Sequence, residues 1–364
     1  MNKICILIEQ LNGGGAERSA AILSSMLTDL GYKITIVILF DDVGYSYSGN
    51  LINLGEVKDG SRASLNKFKR YVELKRVFDQ YQFDLILDYR MKGLVIREIL
   101  LNQLIFKSKI INMVRHYYLP YYFPKPYQLS KKLYQNYSGI NCVSQKIQAQ
   151  VEAKIGLKNV STIHNPIDFE MITDKLKTEE SPFDFEYILA VGRHHPVKQF
   201  KELIHIYLKT NLPEQGVKLV ILGNPLKDNQ LENLINSLEA SDYIKLKSFD
   251  TNPFGYYKHA KFLVLSSKNE GFPRVLIESL ASGTPVVAFD CNSGPSEIIQ
   301  HRENGLLVED QNFDALERAI EKMYLDKSLY LHCKANANSS VKKFSIENIQ
   351  LQWKNYLESI FNKA

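Results

Sequence analysis

The sequence predicts an α/β protein of two domains, each a parallel sheet flanked by helices, and three observations carry that reading. Short β-branched runs alternate with helix-length amphipathic segments along the chain, the pattern of strands joined by helical crossovers. A length of 364 residues exceeds what one ordinary core serves and suits two domains of ordinary size. The stretch Asn269 to Ala288 (NEGFPRVLIESLASGTPVVA) holds a strand–helix–strand unit, with apolar runs at Phe262–Leu265 before it and Pro285–Phe289 at its end. Its helix is expected to begin near Pro273, where a missing N–H costs nothing, and to stop at Gly283. Apolar residues at 45% and charged ones at 23% are globular values. No run approaches the ~20 apolar residues needed to cross a bilayer, and the N-terminus goes straight into a strand. Cys5, Cys142, Cys291 and Cys333 are isolated, without zinc or redox spacing, and read as small buried residues of a reducing, cytoplasmic compartment.

Taken in order, Lys3–Glu9 (KICILIE) is the first buried strand, followed by Gly13-Gly14-Gly15-Ala16-Glu17-Arg18 and an amphipathic helix to about Leu30. The glycines let backbone approach a ligand at a helix N-terminus. A dinucleotide fingerprint needs a third glycine where Arg18 stands, so that match is incomplete. Asp41 and Asp42, after the strand Lys33–Phe40, could imitate a ribose-binding acid, which keeps an NAD-binding alternative open. From Ser61 to Tyr81, Leu65, Phe68, Val72, Val77 and Phe78 form an imperfect helical stripe, with Lys67, Lys69, Arg70, Lys75 and Arg76 crowding the other faces. Strand Asp84–Asp88, helix Leu94–Ile105 and strand Lys109–Val114 follow. His116, in Arg115-His116-Tyr117-Tyr118, then sits at a strand's carboxyl end. Tyr117–Tyr127 (YYLPYYFPKPY), with five tyrosines and three prolines, reads as a loop rich in amphipathic aromatics. Strand Gly139–Val143 and helix Gln145–Ala153 close the first domain.

Charge is unevenly spread. Residues 1–160 hold 22 Lys and Arg against 13 Asp and Glu, a formal +9; the remainder holds 23 against 27, or −4, summing to +5. Between Glu98 and Glu152 no acid occurs. No nucleic-acid motif accompanies this basic half, so nucleic acid is not the expected partner. An anionic membrane surface or a diphosphate-linked lipid suits it better, given tyrosines that favour an interface. A merely basic, solvated face is the plainer alternative.

After Val160–Ile163 and His164-Asn165-Pro166-Ile167-Asp168, the polar stretch Lys175–Pro182 is the expected linker. The second domain opens with strand Tyr187–Val191 and Gly192-Arg193-His194-His195-Pro196-Val197-Lys198. Strand Val217–Leu222 with Gly223, helix Asp228–Ala240 and strand Tyr243–Phe249 come next. Glu270 then falls in the loop at a strand's carboxyl end, where open α/β sheets bind ligands. The helix N-terminus at Arg274-Val275-Leu276 offers N–H groups and a positive dipole end to a diphosphate. Glu278, about one and a half turns in, could reach a ribose hydroxyl. Neither glutamate is assigned to the core, so both are expected to be replaceable without loss of stability. Amphipathic helices from Asp314 and from Ile346, the latter with Trp353, Tyr356 and Phe361, end the chain.

Glu270-x7-Glu278 followed by Ala281-Ser282-Gly283-Thr284-Pro285-Val286-Val287 resembles the signature of the retaining glycosyltransferases of family 4, which have the GT-B fold. Ser293-Gly294-Pro295-Ser296-Glu297-Ile298-Ile299 and Asn304-Gly305-Leu306-Leu307-Val308 are similar to that family's next motif. The resemblance implies two Rossmann-like domains facing each other across a cleft: an acceptor domain, 1–168, a nucleotide-sugar domain, 182–345, and a C-terminal helix, 346–364, packing back on the first. His164–Asp168 occupies the place of the family's interdomain motif, with proline where glycine is usual.

By that resemblance, Arg193 and Lys198 bind the donor diphosphate and Glu270 contacts the transferred sugar. His116 orients sugar or acceptor hydroxyls, and Gly14 and Gly15 face the donor diphosphate and acceptor. Gly223, the loop at Phe249, Asp250 and Thr251, Arg274, Val275, Leu276 and Glu278 complete the donor site. Arg274 is bulkier than the residue many relatives carry. The implied activity is metal-independent retaining transfer from a UDP-sugar to a glycan or undecaprenyl-diphosphate-linked acceptor, with no cofactor, on the inner face of the cytoplasmic membrane. No Asp-x-Asp occurs in the chain. A nucleotide-sugar binding protein without transferase activity and a GT-B epimerase remain alternatives. A sugar phosphorylase needs a pyridoxal-phosphate lysine that no motif marks.

Overall fold

The computed structural model describes all residues except 57–62, 179, 226–228 and 363–364, and the side chains of 63–68 and 178 also lie outside the description. The expected stripe positions Leu65 and Phe68, the basic position Lys67, and Ser61 and Asp228 fall among these. The chain forms two compact units, Met1–Pro166 with Glu347–Ala364, and Ile167–Ile346.

The first unit runs β1 (Lys3–Ile8), α1 (Gly15–Asp29), β2 (Lys33–Ile38), β3 (Asn50–Asn53), α2 (Ala63–Tyr81), β4 (Leu85–Asp88), α3 (Val95–Leu104), β5 (Lys109–Val114), α4 (Tyr127–Tyr134), β6 (Gly139–Cys142), α5 (Gln145–Ile155) and β7 (Val160–Thr162). Its seven strands lie parallel in the order β3-β2-β1-β4-β5-β6-β7. Every residue of β1 after Lys3 is buried, which explains why KICILI shows no alternation: helices cover both faces. Right-handed crossovers from β3 through to β7 put α2, α3, α4 and α5 on one face. There α3 packs on α4, and α4 on α5.

Helix α5 continues two residues past the expected end at Ala153, to Ile155, whose side chain is buried; Gly156 then takes φ +76° and stops it. The aromatic stretch holds a single 3-10 turn, Leu119–Tyr121, before α4.

The second unit runs α6 (Phe169–Thr178), β8 (Tyr187–Val191), α7 (Phe200–Lys209), β9 (Lys218–Leu222), α8 (Gln230–Ser237), β10 (Ile244–Lys247), α9 (Phe254–His259), β11 (Leu263–Leu265), α10 (Arg274–Ala281), β12 (Val286–Phe289), α11 (Pro295–Ile298), β13 (Gly305–Val308), α12 (Phe313–Leu325) and α13 (Lys327–Ser340). Its six strands are parallel in the order β10-β9-β8-β11-β12-β13. Residues 175–178 are not linker but the last turn of α6. That helix buries Ile172 and receives the Lys258 ammonium on the Leu176 carbonyl at 2.7 Å, so the polar residues are its solvated face.

The closing helix α14 (Ile346–Phe361) belongs to the first unit. It buries Trp353, Leu357 and Ile360, Gln350 Nε2 donates to Met26 O at 2.8 Å, and Lys109 Nζ donates to Ile360 O at 2.8 Å.

Candidate active site

In the second sheet the chain winds from β8 outward to β10 on one side and from β11 outward to β13 on the other. The loops leaving β8 and β11 therefore diverge, and such a switch point is where open α/β sheets hold ligands. Residues 192–198 leave β8, and residues 266–273 leave β11. At the end of β8 the backbone touches β9, where Gly192 N donates to Leu222 O at 3.0 Å, and just past β9 Gly223 N donates to Lys247 O of β10 at 2.8 Å. A Cβ on Gly223 would fall on the Gly192 carbonyl oxygen, so only glycine allows this approach.

Lys198 ends a 3-10 turn, Pro196–Lys198, and its stem lies over Gly192. Its ammonium bonds Glu270 Oε1 at 2.6 Å, with the two side chains 17% and 15% exposed. The loops are stitched behind this pair: Ser266 Oγ donates to Lys198 O, and Lys268 N donates to Val197 O, both at 2.8 Å. Arg193, on the same loop, is exposed, and among the described residues its guanidinium forms no ion pair or hydrogen bond.

The motif after β12 positions Glu270 from the other side. Ser293 Oγ donates to Gly271 O at 2.6 Å, and Asn292 Nδ2 donates to Asn269 Oδ1 at 2.6 Å. Gly294, at φ +98°, packs so closely on Phe272 and Pro273 that a Cβ would collide with them. These contacts give Ser293 and Gly294 a positioning role that sequence similarity alone did not assign.

Helix α10 starts after Pro273 without a side-chain cap. Leu276 N–H is engaged with Pro273 O at 3.2 Å and its side chain is fully buried, so backbone contact to an anion falls to Arg274 and Val275. Glu278 is 4% exposed, which corrects the expectation that it lies off the core. Tyr257 OH donates to its Oε2 at 3.2 Å, and Arg274 Nη2 lies 3.4 Å from its Oε1. The Gly-Thr-Pro turn supports this arrangement, because Thr284 Oγ1 donates to Tyr257 O at 2.6 Å. Tyr257 was invisible to motif reasoning. Its signal is tertiary, since α9 brings it to Glu278 across 21 residues. Beyond β10, Phe249 is exposed and its N–H donates to Asn224 Oδ1 at 3.0 Å, leaving the ring on the surface. Burial lowers the His194 imidazole pKa, which favours its neutral form.

The other predicted residues lie in the first unit. Gly14 is the N-cap of α1, and the Glu17 carboxylate folds over it, close to where a Cβ would stand. Gly15 opens the helix itself. His116 follows β5, half-buried, with Tyr118 N donating to its Nδ1 at 2.9 Å. Sequence reasoning missed a buried cluster of charges in this unit. At the switch point between β1 and β4, Asp88, Arg90, Lys92 and Glu98 are all buried. Arg90 makes a two-pronged contact with Asp88 at 2.9 and 2.8 Å and reaches Glu98 at 3.1 Å. Lys92 Nζ donates to Asn112 Oδ1 at 2.7 Å and to Arg90 O at 3.0 Å, and lies 3.1 Å from Asp88 Oδ2. Burial works to raise the Asp88 carboxyl, but Arg90 and Lys92 outweigh it and hold it at about 2. Glu9, whose carboxylate accepts from Met91 N at 2.6 Å, is raised by burial.

Two doubly wound units, each with paired carboxylates and cations at its switch point, define an α/β protein of the ligand-binding, Rossmann-like class. Similarity to known proteins narrows that class. The chain belongs to glycosyltransferase family 4: residues 13–171 match the model described as Glycosyltransferase Family 4, and residues 172–340 match Glycosyl transferases group 1. It is 30% identical to the N-acetylgalactosamine-N,N'-diacetylbacillosaminyl-diphospho-undecaprenol 4-alpha-N-acetylgalactosaminyltransferase of Campylobacter jejuni, over 94% of this chain and 96% of that one. It is 26% identical to an amylovoran biosynthesis glycosyltransferase of Erwinia amylovora, over 98% and 100%. Among solved structures, HepE of Anabaena in complex with UDP and glucose superposes with a TM-score of 0.79 at 19% identity, covering 99% of this chain and all of that one. That likeness carries the GT-B fold of two Rossmann-like domains.

Proposed function

We propose that this glycosyltransferase moves a sugar, with retention of anomeric configuration and without a metal ion, from a UDP-sugar to a glycan or undecaprenyl-diphosphate-linked acceptor in bacterial surface-glycan assembly. The observation that carries the proposal is the Lys198–Glu270 pair beside exposed Arg193 at the switch point. Two cations there supply the charge that a departing diphosphate needs, the work a metal does elsewhere. When the diphosphate takes Lys198, Glu270 is released to the hydroxyls of the transferred sugar. The bond from the anomeric carbon to the phosphate oxygen breaks and the bond to the acceptor oxygen forms on the same face. The acceptor's proton passes to the leaving phosphate oxygen, so no protein base is required. Glu278 holds the ribose, Phe249 and its neighbours Asp250 and Thr251 receive the base, and Val275 and Arg274 face the diphosphate. In the first unit His116 orients hydroxyls, and Gly14 and Gly15 serve the donor diphosphate and the acceptor.

The name of the Campylobacter relative supports a lipid-diphosphate acceptor, and the UDP complex of the Anabaena neighbour supports the donor base. The test is incubation with each common UDP- and GDP-sugar and an undecaprenyl-diphosphate-linked saccharide, following nucleotide release, product mass and the anomeric proton of the product. A UDP-sugar that yields an α-linked product supports the reading. Nucleotide-sugar binding with no product, or an altered sugar still joined to the nucleotide, overturns it.

A further inference from the structure

Helix α3 is built inside out. Its inward positions are Glu98 and Leu101, followed by Ile105 just past its end, all buried. Glu98 is held there by Arg90 at 3.1 Å and Arg97 at 2.9 Å. Its outward positions are mostly apolar: Ile96, Leu100 and Leu104 are 74%, 49% and 56% exposed, Leu94 just before the helix is 68% exposed, and Gln103 is the one exposed polar residue of the helix. Ile96, Leu100 and Leu104 stand four apart and form one ridge. A helix on a water-facing surface turns such a ridge to the core; here the core side is taken by an ion-paired carboxylate.

The apolar surface extends beyond the helix. Met91, Tyr118 and Tyr121 are exposed beside its start, where Lys92 N donates to Tyr121 O at 2.6 Å and the two tyrosine rings lie 4.9 Å apart. Exposed Leu129 continues it on α4. Basic side chains flank it on the same face of the sheet: exposed Lys69, Lys75 and Arg76 on α2, and exposed Lys125, Lys131 and Lys132 on or just before α4. Asp79 on α2 is paired with Lys75 and, at 3.8 Å, with Lys107.

We propose that α3, between α2 and α4, is the surface by which the protein lies on an anionic lipid bilayer. The ridge and the two tyrosines enter the boundary between headgroups and acyl chains, and the lysines meet the phosphates. A second copy fits less well, because a twofold pairing would set these basic flanks against each other. The proposal names the surface that the lipid-linked acceptor reading requires and rests on that reading only for its purpose, since lipid binding needs neither donor nor acceptor.

The test is flotation of the full chain with phosphatidylcholine vesicles, with and without phosphatidylglycerol, in the absence of any substrate. The wild type floats with the anionic vesicles and is released by salt. The triple change Ile96→Ser, Leu100→Ser, Leu104→Ser lowers partitioning by at least about tenfold. Lys131→Glu with Lys132→Glu lowers it on the order of tenfold for anionic vesicles alone. The Leu100→Trp variant, which requires no polar replacement, shows a blue shift in emission, beyond any seen in the wild type, when anionic vesicles are added. Failure of the wild type to float, a serine variant that unfolds at the wild-type temperature and floats equally well, or an unshifted emission from the Leu100→Trp variant overturns the proposal. So does a wild-type dimer that the serine changes convert to monomer. Flotation without transfer activity leaves this surface standing and rejects only the transferase reading.

Discussion

Replacing Glu278 by glutamine separates binding from stability at one position. The side chain is 4% exposed, accepts from Tyr257 OH at 3.2 Å and faces the Arg274 guanidinium at 3.4 Å. The amide keeps the volume but turns one acceptor into a donor and leaves Arg274, itself only 10% exposed, without that negative charge. A hydrogen bond to a charged group is worth about 1.5–3 kcal/mol, and the Tyr257 hydroxyl can rotate to accept, so the net loss is about 2 kcal/mol. For a unit of this size that lowers the unfolding midpoint by roughly 4–8 °C. Loss of the ribose contact removes interaction from ground and transition states alike, which raises the donor KM about tenfold with little change in kcat. Thermal unfolding without ligand and steady-state kinetics on the purified variant read the two effects separately. An unchanged midpoint would show that the Tyr257 and Arg274 contacts carry nothing, and a fall in kcat at constant KM would show that Glu278 does not hold the ribose.

Glu270→Gln should act oppositely, lowering kcat more than it raises the donor KM, because the charge on the sugar grows toward the transition state; kinetics with an unchanged kcat would contradict it. Transfer should persist in EDTA, and complete loss restored by magnesium or manganese would sink the metal-independent reading. The Asp88 carboxyl is held at about 2, below its unfolded value of 3.8, so its contribution of about 2 kcal/mol is present above pH ~4 and lost as pH falls toward 2. Asp88→Asn strips one partner from buried Arg90 and Lys92 and costs about 3–5 kcal/mol near neutrality. Urea unfolding from pH 6 to pH 3 should show the gap between the two proteins narrowing as pH falls, and a constant gap would refute the assignment.

Much of the fold was legible because parallel strands buried on both faces leave unbroken apolar runs such as Lys3–Ile8, and because a glycine such as Gly283 marks where a helix stops; the helix from Gln145 shows the limit, since Gly156, not Ala153, sets its end. The loop residues around Glu270 were read from motif similarity alone, and the structure adds a steric reason for two of the glycines: Gly223 and Gly294 stand where a Cβ would collide with neighbouring residues. What was not legible depends on partners distant in sequence. Glu278 reads as a surface acid until α9 brings Tyr257 to it, and Glu98 reads as solvated until Arg90 folds back from β4. The ridge Ile96, Leu100, Leu104 has the spacing of a core-facing stripe, and only the buried ion pairs behind Glu98 turn it outward. Residues 175–178 looked like linker because the exposed face of a helix has the same polarity as a loop.

The central claim is that protein cations at the switch point of the second unit stabilise the leaving diphosphate, and Lys198→Ala tests it most directly. With the donor saturating, removing a charge-assisted contact that strengthens as the leaving group departs should lower kcat on the order of 10²–10³-fold. Turnover near that of the wild type would contradict the account.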